Sequence, residues 1–193
     1  MREHGVLRRV LRIYDQLSGR LLMGDAGFDA AALGQAAQLF RDFGEDYHER
    51  MLEEAYLFPR LRQAGGRAGA LVDVLRDQHE RGRDITEYLL AACKSGKIRD
   101  VDAAPLGRTL RAMAVMYENH AAREDTVVFP AWKAALSASE LKETGDKFED
   151  IEKKVFGPDG FEQGEAKISQ IEQSLGFADL AQFSAAAPPS TAG

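Results

Sequence analysis

The sequence predicts an all-α fold, an up-down four-helix bundle with additional helices on its C-terminal side. Apolar residues recur at spacings of three and four through several long stretches, which is the pattern of amphipathic helices. Glycine, proline and polar residues separate these stretches. No alternating run of β-branched residues lies between turn signals, so no strand is predicted. Four long helices joined by short loops favour antiparallel neighbours.

The first two helices are predicted from periodicity and from a capping residue. Apolar residues from Val6 to Leu21 recur every three or four positions, which predicts a helix over about residues 2–23. Glycines that follow this stretch end the helix. Asp29 is of a residue type that caps helix N-termini, so a second helix is predicted over about 30–64.

Glycine and proline set the bounds of the next two helices. Three glycines end helix two, namely Gly65, Gly66 and Gly69. The third helix then covers about residues 70–95. After a polar loop at 97–104, Pro105 stands where a first-turn proline is tolerated, and the fourth helix is predicted over about 105–136.

Two shorter helices follow the bundle. Ser137 and Glu140 form a capping-box pattern that opens a fifth helix to about Phe156. A Gly-Pro-Asp-Gly turn separates it from a sixth helix over about 161–175. The chain is therefore divided into a bundle at 1–136, a helical extension packed on the bundle at 137–183, and a disordered tail at 184–193 that is rich in Ala, Pro and Ser.

Composition excludes several classes of function. The 193 residues carry a net charge of −6, with Lys and Arg scattered rather than clustered, so a nucleic-acid partner is not expected. No apolar run reaches the ~18 residues that a membrane span needs, and no signal peptide is recognised. The single cysteine, Cys93, excludes an internal disulfide and suits a reducing compartment. We expect a cytoplasmic protein.

A weak internal repeat connects helices two and four. The segment Glu53–Pro59 parallels Glu124–Pro130, and each places a Glu five residues before a Phe-Pro pair. Because proline interrupts helical hydrogen bonding, we expect both helices to kink just past the Glu. Two kinked helices that each carry a carboxylate predict a pseudo-symmetric site between them.

The histidines are distributed one to each predicted bundle helix: His4, His48, His79 and His120. On helix four, Glu124 follows its histidine by four residues, so both side chains project from one face. Imidazole nitrogen combined with carboxylate oxygen suits iron, and also manganese or zinc, better than magnesium or calcium. Paired metals of this kind typically sit ~3.5–4 Å apart, and a bridging Glu offsets their repulsion.

Four segments together resemble the hemerythrin-like, His-His-Glu cation-binding family over about residues 1–136: Met1–Leu7, Asp46–Pro59, Asp77–Glu80 and Asn119–Pro130. The resemblance implies a four-helix bundle that holds two iron ions joined by an oxygen or hydroxide bridge. It implies oxygen binding, peroxide or nitric-oxide chemistry, or oxygen or iron sensing as functions. Carried over position by position, the implied metal ligands are His4, His48, Glu53, His79, His120 and Glu124.

The sequence departs from the family pattern at three places. Arg83 stands four residues after His79, where oxygen carriers of the family have a second histidine. On helix four, Glu124 stands four residues after the histidine with Asp125 next to it, where the family uses Asp five residues after. On helix two, His48 lies five residues before its Glu.

The third departure leaves two alternatives for helix two. Five residues rotate an α-helix by about 140°, so His48 and Glu53 share one face only if a π-bulge widens the turn. In the other case Glu49 and Glu53 point inward together and His48 lies to one side. The sequence favours the first alternative and excludes neither.

The leading hypothesis is a di-iron protein that binds or reduces a small oxidant, with a diatomic molecule or peroxide as its ligand. The alternative is a metal-dependent sensor or adaptor without redox turnover, in which the C-terminal helices address a protein partner, or a plain helical interaction module. For Tyr117 and the tyrosines at 47, 56 and 88 of the bundle helices, core packing is expected before hydrogen bonding to an iron-bound oxygen. Whether the protein is an enzyme stays open.

Overall fold

The structure, a computed structural model, describes residues 2–189, and these contain helices and no strand. Two of the helices are continuous but include a π-helical segment. The helices are α1 (Arg2–Leu22), α2 (Ala30–Leu39, π-helical Phe40–Leu57, Phe58–Ala64), α3 (Gly66–Cys93), α4 (Asp100–Arg123, π-helical Glu124–Val128, Phe129–Ala134), α5 (Ala138–Phe156) and α6 (Gly160–Leu175), followed by a 3₁₀ turn at Leu180–Phe183. The all-α fold expected from the sequence is confirmed.

The first four helices form an antiparallel bundle. Gly107, near the start of α4, lies so close to the end of α1 that an added Cβ would be 3.0 Å from the Cβ of Leu21. Gly34, near the start of α2, similarly approaches Cys93 at the end of α3. Helix α1 also contacts α2, and α3 contacts α4, which closes the ring of four. No helix among the described residues is long and apolar enough to cross a membrane.

Helix α3 begins earlier than the sequence predicts. It starts at Gly66 rather than near residue 70, because the positive φ angles of Gly65 and Gly66 complete the turn within two residues. Gly69 lies inside the helix and does not end one. It allows α3 to approach α2, since a Cβ there would be 2.8 Å from the carbonyl oxygen of Leu61.

The expected position of Pro105 is also wrong. Helix α4 starts at Asp100, so the polar loop ends at Arg99 and the proline lies in the second turn rather than the first. Its ring is exposed, and the backbone carbonyl that loses a hydrogen bond there is near solvent. The negative charges of Asp100 and Asp102 in the first turn interact favourably with the positive, N-terminal end of the helix dipole.

The π-helical segments end at the two Phe-Pro pairs of the internal repeat. The Phe58 N–H donates to the Glu53 carbonyl five residues earlier, and the Phe129 N–H donates to the Glu124 carbonyl in the same way. Each proline then lies in the first turn of the following α-helical segment, where its missing N–H costs nothing. The irregularity that the sequence placed at each proline is therefore a π-helical segment before it, which covers 18 residues in α2 and 5 in α4.

Two hydrophobic clusters fill the bundle, one on each side of the histidines along the helix axes. The larger is built around Tyr14, Phe40 and Leu106, and the smaller around Leu57 and Trp132. The histidines lie at the level between the clusters, so polar side chains there are sealed from water on both sides. A polar layer of this kind needs internal partners for its charges.

The C-terminal helices attach to the bundle unequally. Helix α6 buries an apolar stripe that includes Ile168 and Ile171, whereas α5 has no fully buried residue. Ser137 and Glu140 form the reciprocal capping box at the start of α5. The predicted tail at 184–193 lies partly outside the described residues, and 184–189 form no helix. The division of the chain into domains stays a prediction.

We expect Ile171→Ala to lower the free energy of unfolding by about 2–5 kcal/mol, because it leaves a cavity where α6 packs on the bundle. Urea denaturation followed by circular dichroism measures this. Val155→Ala on α5 is the control, since its side chain is 41% exposed and should cost less than about 0.5 kcal/mol. Equal stability of the two variants would mean that α6 does not share the bundle's core.

Candidate metal centre

The widened turn of α2 brings His48 and Glu53 together. With hydrogen bonds that reach five residues along the chain, side chains five apart lie nearly on one face. The His48 Nε2 is 3.3 Å from the Glu53 Oε1, and both residues are buried. Glu49 is buried beside them, and its Oε2 lies 3.9 Å from the outer nitrogen, Nδ1, of His79. Of the two alternatives for helix two, the structure has the one with His48 facing Glu53.

One half of the centre joins α1, α2 and α4. The Nε2 atoms of His4 and His48 are 3.2 Å apart, with their rings at 64° to each other. The His4 Nε2 is also 3.5 Å from the Glu124 Oε2. Two imidazole nitrogens and one oxygen from each of Glu53 and Glu124 therefore converge within 4.8 Å of one another.

The other half joins α2, α3 and α4 in the same way. The Nε2 atoms of His79 and His120 are 3.2 Å apart. The His79 Nε2 is 3.5 Å from the Glu53 Oε2, and the His120 Nε2 is 3.0 Å from the Glu124 Oε1. This half again combines two imidazole nitrogens with one oxygen from each of the same two carboxylates.

Glu53 and Glu124 are thus shared between the halves. Each turns one oxygen toward the first pair of histidines and the other oxygen toward the second pair. All six predicted ligands lie in this one buried cluster, with exposures between 0% and 3%. That they bind metal stays a prediction, but the arrangement is that of two adjacent four-ligand groups with two bridging carboxylates.

Three histidines are oriented through their outer nitrogens, Nδ1. The His4 Nδ1 contacts Asp125 at 3.0 Å, the His79 Nδ1 contacts Glu54 at 2.9 Å, and the His120 Nδ1 contacts Gln78 at 2.9 Å. Such contacts fix the ring and leave Nε2 to face the centre. Within residues 2–189 the Nδ1 of His48 has no hydrogen-bond partner.

None of the three outer partners was predicted as a site residue. Each is a neighbour in sequence of a predicted ligand: Glu54 follows Glu53, Gln78 precedes His79 and Asp125 follows Glu124. That adjacency is the only signal for them in the sequence. Asp125, which stands where the family pattern has an Asp, therefore supports His4 from outside and does not enter either ligand group.

The phenylalanines of the internal repeat pack on histidines of the centre. The ring of Phe58 stacks on His79 at 5.4 Å between centroids, and the ring of Phe129 lies 5.4 Å from that of His4. These apolar rings cover the imidazoles on the side of the smaller hydrophobic cluster. Both halves of the repeat thus supply one bridging carboxylate and one ring that covers a histidine.

Burial and mutual charge shift the ionisation of the cluster in opposite directions. Burial lowers the pKa of His79 to about 4, which leaves a neutral imidazole of the kind that binds metals. Burial, together with the nearby Glu124, raises the pKa of Glu53 to about 7. Burial also opposes the charge on His48, but attraction to Glu53 and Glu124 outweighs it and raises its pKa to about 9. The buried histidines and glutamates of the cluster thus compete with one another for protons.

The donor atoms fit a pair of metal ions. Neither oxygen of Glu53 accepts a hydrogen bond of ordinary geometry, although both are fully buried, and the same holds for the Glu124 Oε1. Buried carboxylate oxygens without such bonds are costly unless a cation binds them. The mixture of two nitrogens and two oxygens in each half is one that iron, manganese and zinc accept.

A small cavity of about 20 Å³ adjoins the centre, with room for about one water molecule. Five of the six predicted ligands form part of its lining, namely His4, His48, Glu53, His120 and Glu124. Leu7, Leu11 and Ala121 give it apolar walls, and Glu49 and Tyr117 give it polar ones. Because predicted ligands line it, this space is continuous with the place where the ions would bind.

Tyr117 and Arg83 hold the Glu49 side chain at this cavity. The Tyr117 hydroxyl donates to the Glu49 Oε1 at 2.8 Å, and the Arg83 Nη2 donates to the Glu49 Oε2 at 3.2 Å. Arg83 also pairs with Glu54. The arginine that replaces the family's second histidine on this helix thus lies outside the ligand groups and neutralises carboxylates around them.

Comparison with known proteins gives one family and several relatives. The hemerythrin HHE cation binding domain matches residues 1–132. Uncharacterized proteins of Mycobacterium tuberculosis (strains CDC 1551 / Oshkosh and H37Rv) and of Mycobacterium bovis are each 46% identical to the chain over 184 residues, which is 95% of this chain and 71% of the relative. No solved structure shows significant similarity to the chain.

Gly82 on α3 leaves room for the ring of Tyr117, and a substitution at this glycine tests the contact. A Cβ at residue 82 would collide with the Tyr117 hydroxyl and lie 2.9 Å from its Cζ. We expect Gly82→Ala to displace the ring, break its bond to Glu49 and lower the free energy of unfolding by about 1–3 kcal/mol. Urea denaturation measures the change.

Gly19→Ala is the matched control for this substitution, since nothing lies within 4 Å of an added Cβ in that helix. It should leave stability unchanged or raise it by about 0.5–1 kcal/mol. Tyr117→Phe removes the atom that the new methyl group strikes, so it should restore part of the loss in Gly82→Ala. A Gly82→Ala protein as stable as the unsubstituted chain would contradict the close contact.

Proposed function

The chain belongs to the hemerythrin HHE cation-binding family, and we propose that it holds two iron ions and binds or reacts with a small oxidant: dioxygen, peroxide or nitric oxide. Oxygen or iron sensing and oxidative-stress defence are the roles that this chemistry would serve. The observation that carries the proposal is the sharing of Glu53 and Glu124 between two pairs of histidines. Carboxylates shared in this way can bind two neighbouring cations at once and reduce the repulsion between them.

The two bridging carboxylates provide the charge for such a pair. Two divalent ions repel each other at short range, and this repulsion falls when negative oxygens lie between them. Glu53 and Glu124 place four oxygens between the imidazole pairs, two facing each pair. His4 and His48 would be terminal ligands of one ion, and His79 and His120 of the other.

The remaining residues would control what reaches the ions. Iron held by the four histidines and the two bridging carboxylates would supply electrons to a small oxidant. Leu7, Leu11 and Ala121 make the adjoining cavity apolar and small, so bulk water and large substrates are excluded. Glu49, fixed by Tyr117 and Arg83, adds a polar group to the lining of this cavity. A space with room for about one water molecule limits the incoming ligand to a few atoms, as in a diatomic molecule or peroxide.

We expect Glu53→Ala and Glu124→Ala each to reduce bound iron from about two ions per chain to one or none. A bridging carboxylate serves both ions, whereas a terminal histidine serves one and can be replaced by water. His79→Ala should therefore retain more iron than either Glu variant but show an altered spectrum with oxygen or peroxide. Iron quantification and optical spectra of the purified variants measure this.

Glu118→Ala is the control for these variants, because this glutamate is exposed on the same helix as Glu124. It should keep the full iron content. The proposal would be wrong if Glu53→Ala and Glu124→Ala also kept it. Repeated consumption of peroxide by the iron-loaded protein would assign it to defence, and a spectral change without turnover would assign it to sensing.

A second variant tests the cavity apart from the metal ligands. We expect Ala121→Leu to fill the cavity, so that iron content stays near two per chain while the spectral change with peroxide or nitric oxide slows or disappears. The larger side chain should cost about 1–3 kcal/mol of stability. Ala112→Leu on the same helix is exposed and serves as control. An unchanged reaction in Ala121→Leu would show that oxidants reach the ions by another route.

A further inference from the structure

A second cavity, separate from the metal centre, lies between α1 and the segment that follows α6. Its volume is about 400 Å³, which is within the range of small-molecule sites. It shares no lining residue with the cavity beside the histidines. Ile13, Phe177 and Phe183 supply apolar walls, and Arg9 and Arg12 supply charge. We call it the α1 groove.

The outer wall of the α1 groove is a turn that folds back over α1. Gly176 ends α6 in the left-handed conformation, with φ of +77°, and reverses the chain. The Gln182 side-chain amide then donates to the carbonyls of Gly176 at 3.1 Å and Asp179 at 2.8 Å. These bonds hold the 3₁₀ turn in place, so Leu180 and Phe183 form a fixed rim.

The two arginines of the groove differ in how far they are engaged. The Arg9 Nε donates to Glu172 at 2.9 Å and its Nη2 donates to the second Glu172 oxygen and to Ser169, so this guanidinium is neutralised and fixed. In Arg12 the Nη1 contacts Asp15 at 3.2 Å, and that is its one contact within residues 2–189. Arg12 therefore keeps donors for a ligand.

The carboxylates around the groove are distributed unevenly between its arginines. Asp15 is shared, because Arg111 of α4 also pairs with it. Arg12 and Arg111 together thus face one carboxylate, while Arg9 and Glu172 cancel each other. Glu165 also lies near Arg9, so Arg9 is surrounded by carboxylates and does not attract a further anion. The N–H donors of Arg12 that no carboxylate engages therefore face a ligand beside the apolar cavity, and a ligand that uses both has a carboxylate and an apolar body.

We propose that the α1 groove binds a small amphipathic carboxylate. The carboxylate would accept hydrogen bonds from Arg12, because a guanidinium presents parallel N–H donors to two oxygens. The apolar body would lie against Ile13, Phe177 and Phe183, where its burial supplies most of the affinity. This inference does not rest on the di-iron function, and binding should be the same with and without metal.

Isothermal titration calorimetry with decanoate, at concentrations where it is monomeric, tests the proposal on the full chain. We expect one site per chain with Kd below about 1 mM. Acetate carries the charge without the apolar body, and decan-1-ol carries the body without the charge, so both should bind much more weakly. Absence of decanoate binding, or equal binding of decan-1-ol, would overturn it.

Substitutions of two exposed residues of the α1 groove test whether decanoate binds there. Arg12→Ala should weaken decanoate binding about ten-fold, since it removes a charged hydrogen bond. Leu180 is 81% exposed on the rim, so Leu180→Asp should fold normally and weaken binding by placing a like charge there. Arg20→Ala on the same helix also removes an arginine that pairs with an aspartate, and it should change the affinity less than about two-fold.

Equal loss of decanoate binding in Arg12→Ala and Arg20→Ala would mean that net charge, not the groove, attracts the ligand. A flotation assay with phosphatidylglycerol vesicles distinguishes a soluble carboxylate from a lipid surface. We expect no vesicle binding, because the cavity is bounded on both sides. Vesicle binding that depends on Arg12 would overturn the assignment to a small molecule.

Discussion

Sharing of two buried carboxylates among four imidazoles is the constraint on which this bundle depends. Glu53 and Glu124 come from different helices, and each places one oxygen toward a histidine of its own helix and the other toward a histidine of a neighbouring helix. A buried carboxylate without a partner destabilises a fold by several kcal/mol, so the polar layer is favourable only when all four helices are in register. The hydrophobic clusters above and below keep water out, and the ligand atoms fix how the helices face each other.

Both copies of the internal repeat satisfy this constraint through the same local structure. In each copy a π-helical segment includes the glutamate and ends just before a phenylalanine that covers a histidine of the site, and ordinary α-helix geometry resumes at the Phe-Pro pair. The wide turn on α2 also brings His48 onto the face of Glu53. A regular α-helix would have separated those two side chains, so the backbone irregularity belongs to the site.

The fold class, the family and the six residues that converge could be predicted from the sequence, because the apolar periodicity and the one histidine per helix are visible in it. The choice between His48 and Glu49 was not written there, since side-chain types do not reveal whether a turn is bonded over four residues or five. Partners such as Gln78 were missed because they depend on which helices become neighbours and how each ring is rotated. The bounds near Gly66 and Pro105 were wrong because Gly69 and Pro105 both lie inside a helix, the first where a close contact needs a glycine and the second where the ring is exposed.

The support of the histidine rings is uneven, and this has a consequence for how the centre fills. The pair His79 and His120 is held on both outer nitrogens, whereas His48 in the other pair is held by packing against His4 and by its own helix. A prearranged half binds an ion with less loss of side-chain freedom than a looser one. Loading would therefore proceed in two steps, and a chain with a single ion would persist over a range of metal supply. With two ions per chain, the centre would have three states of occupancy, and its filling with rising metal supply would be graded.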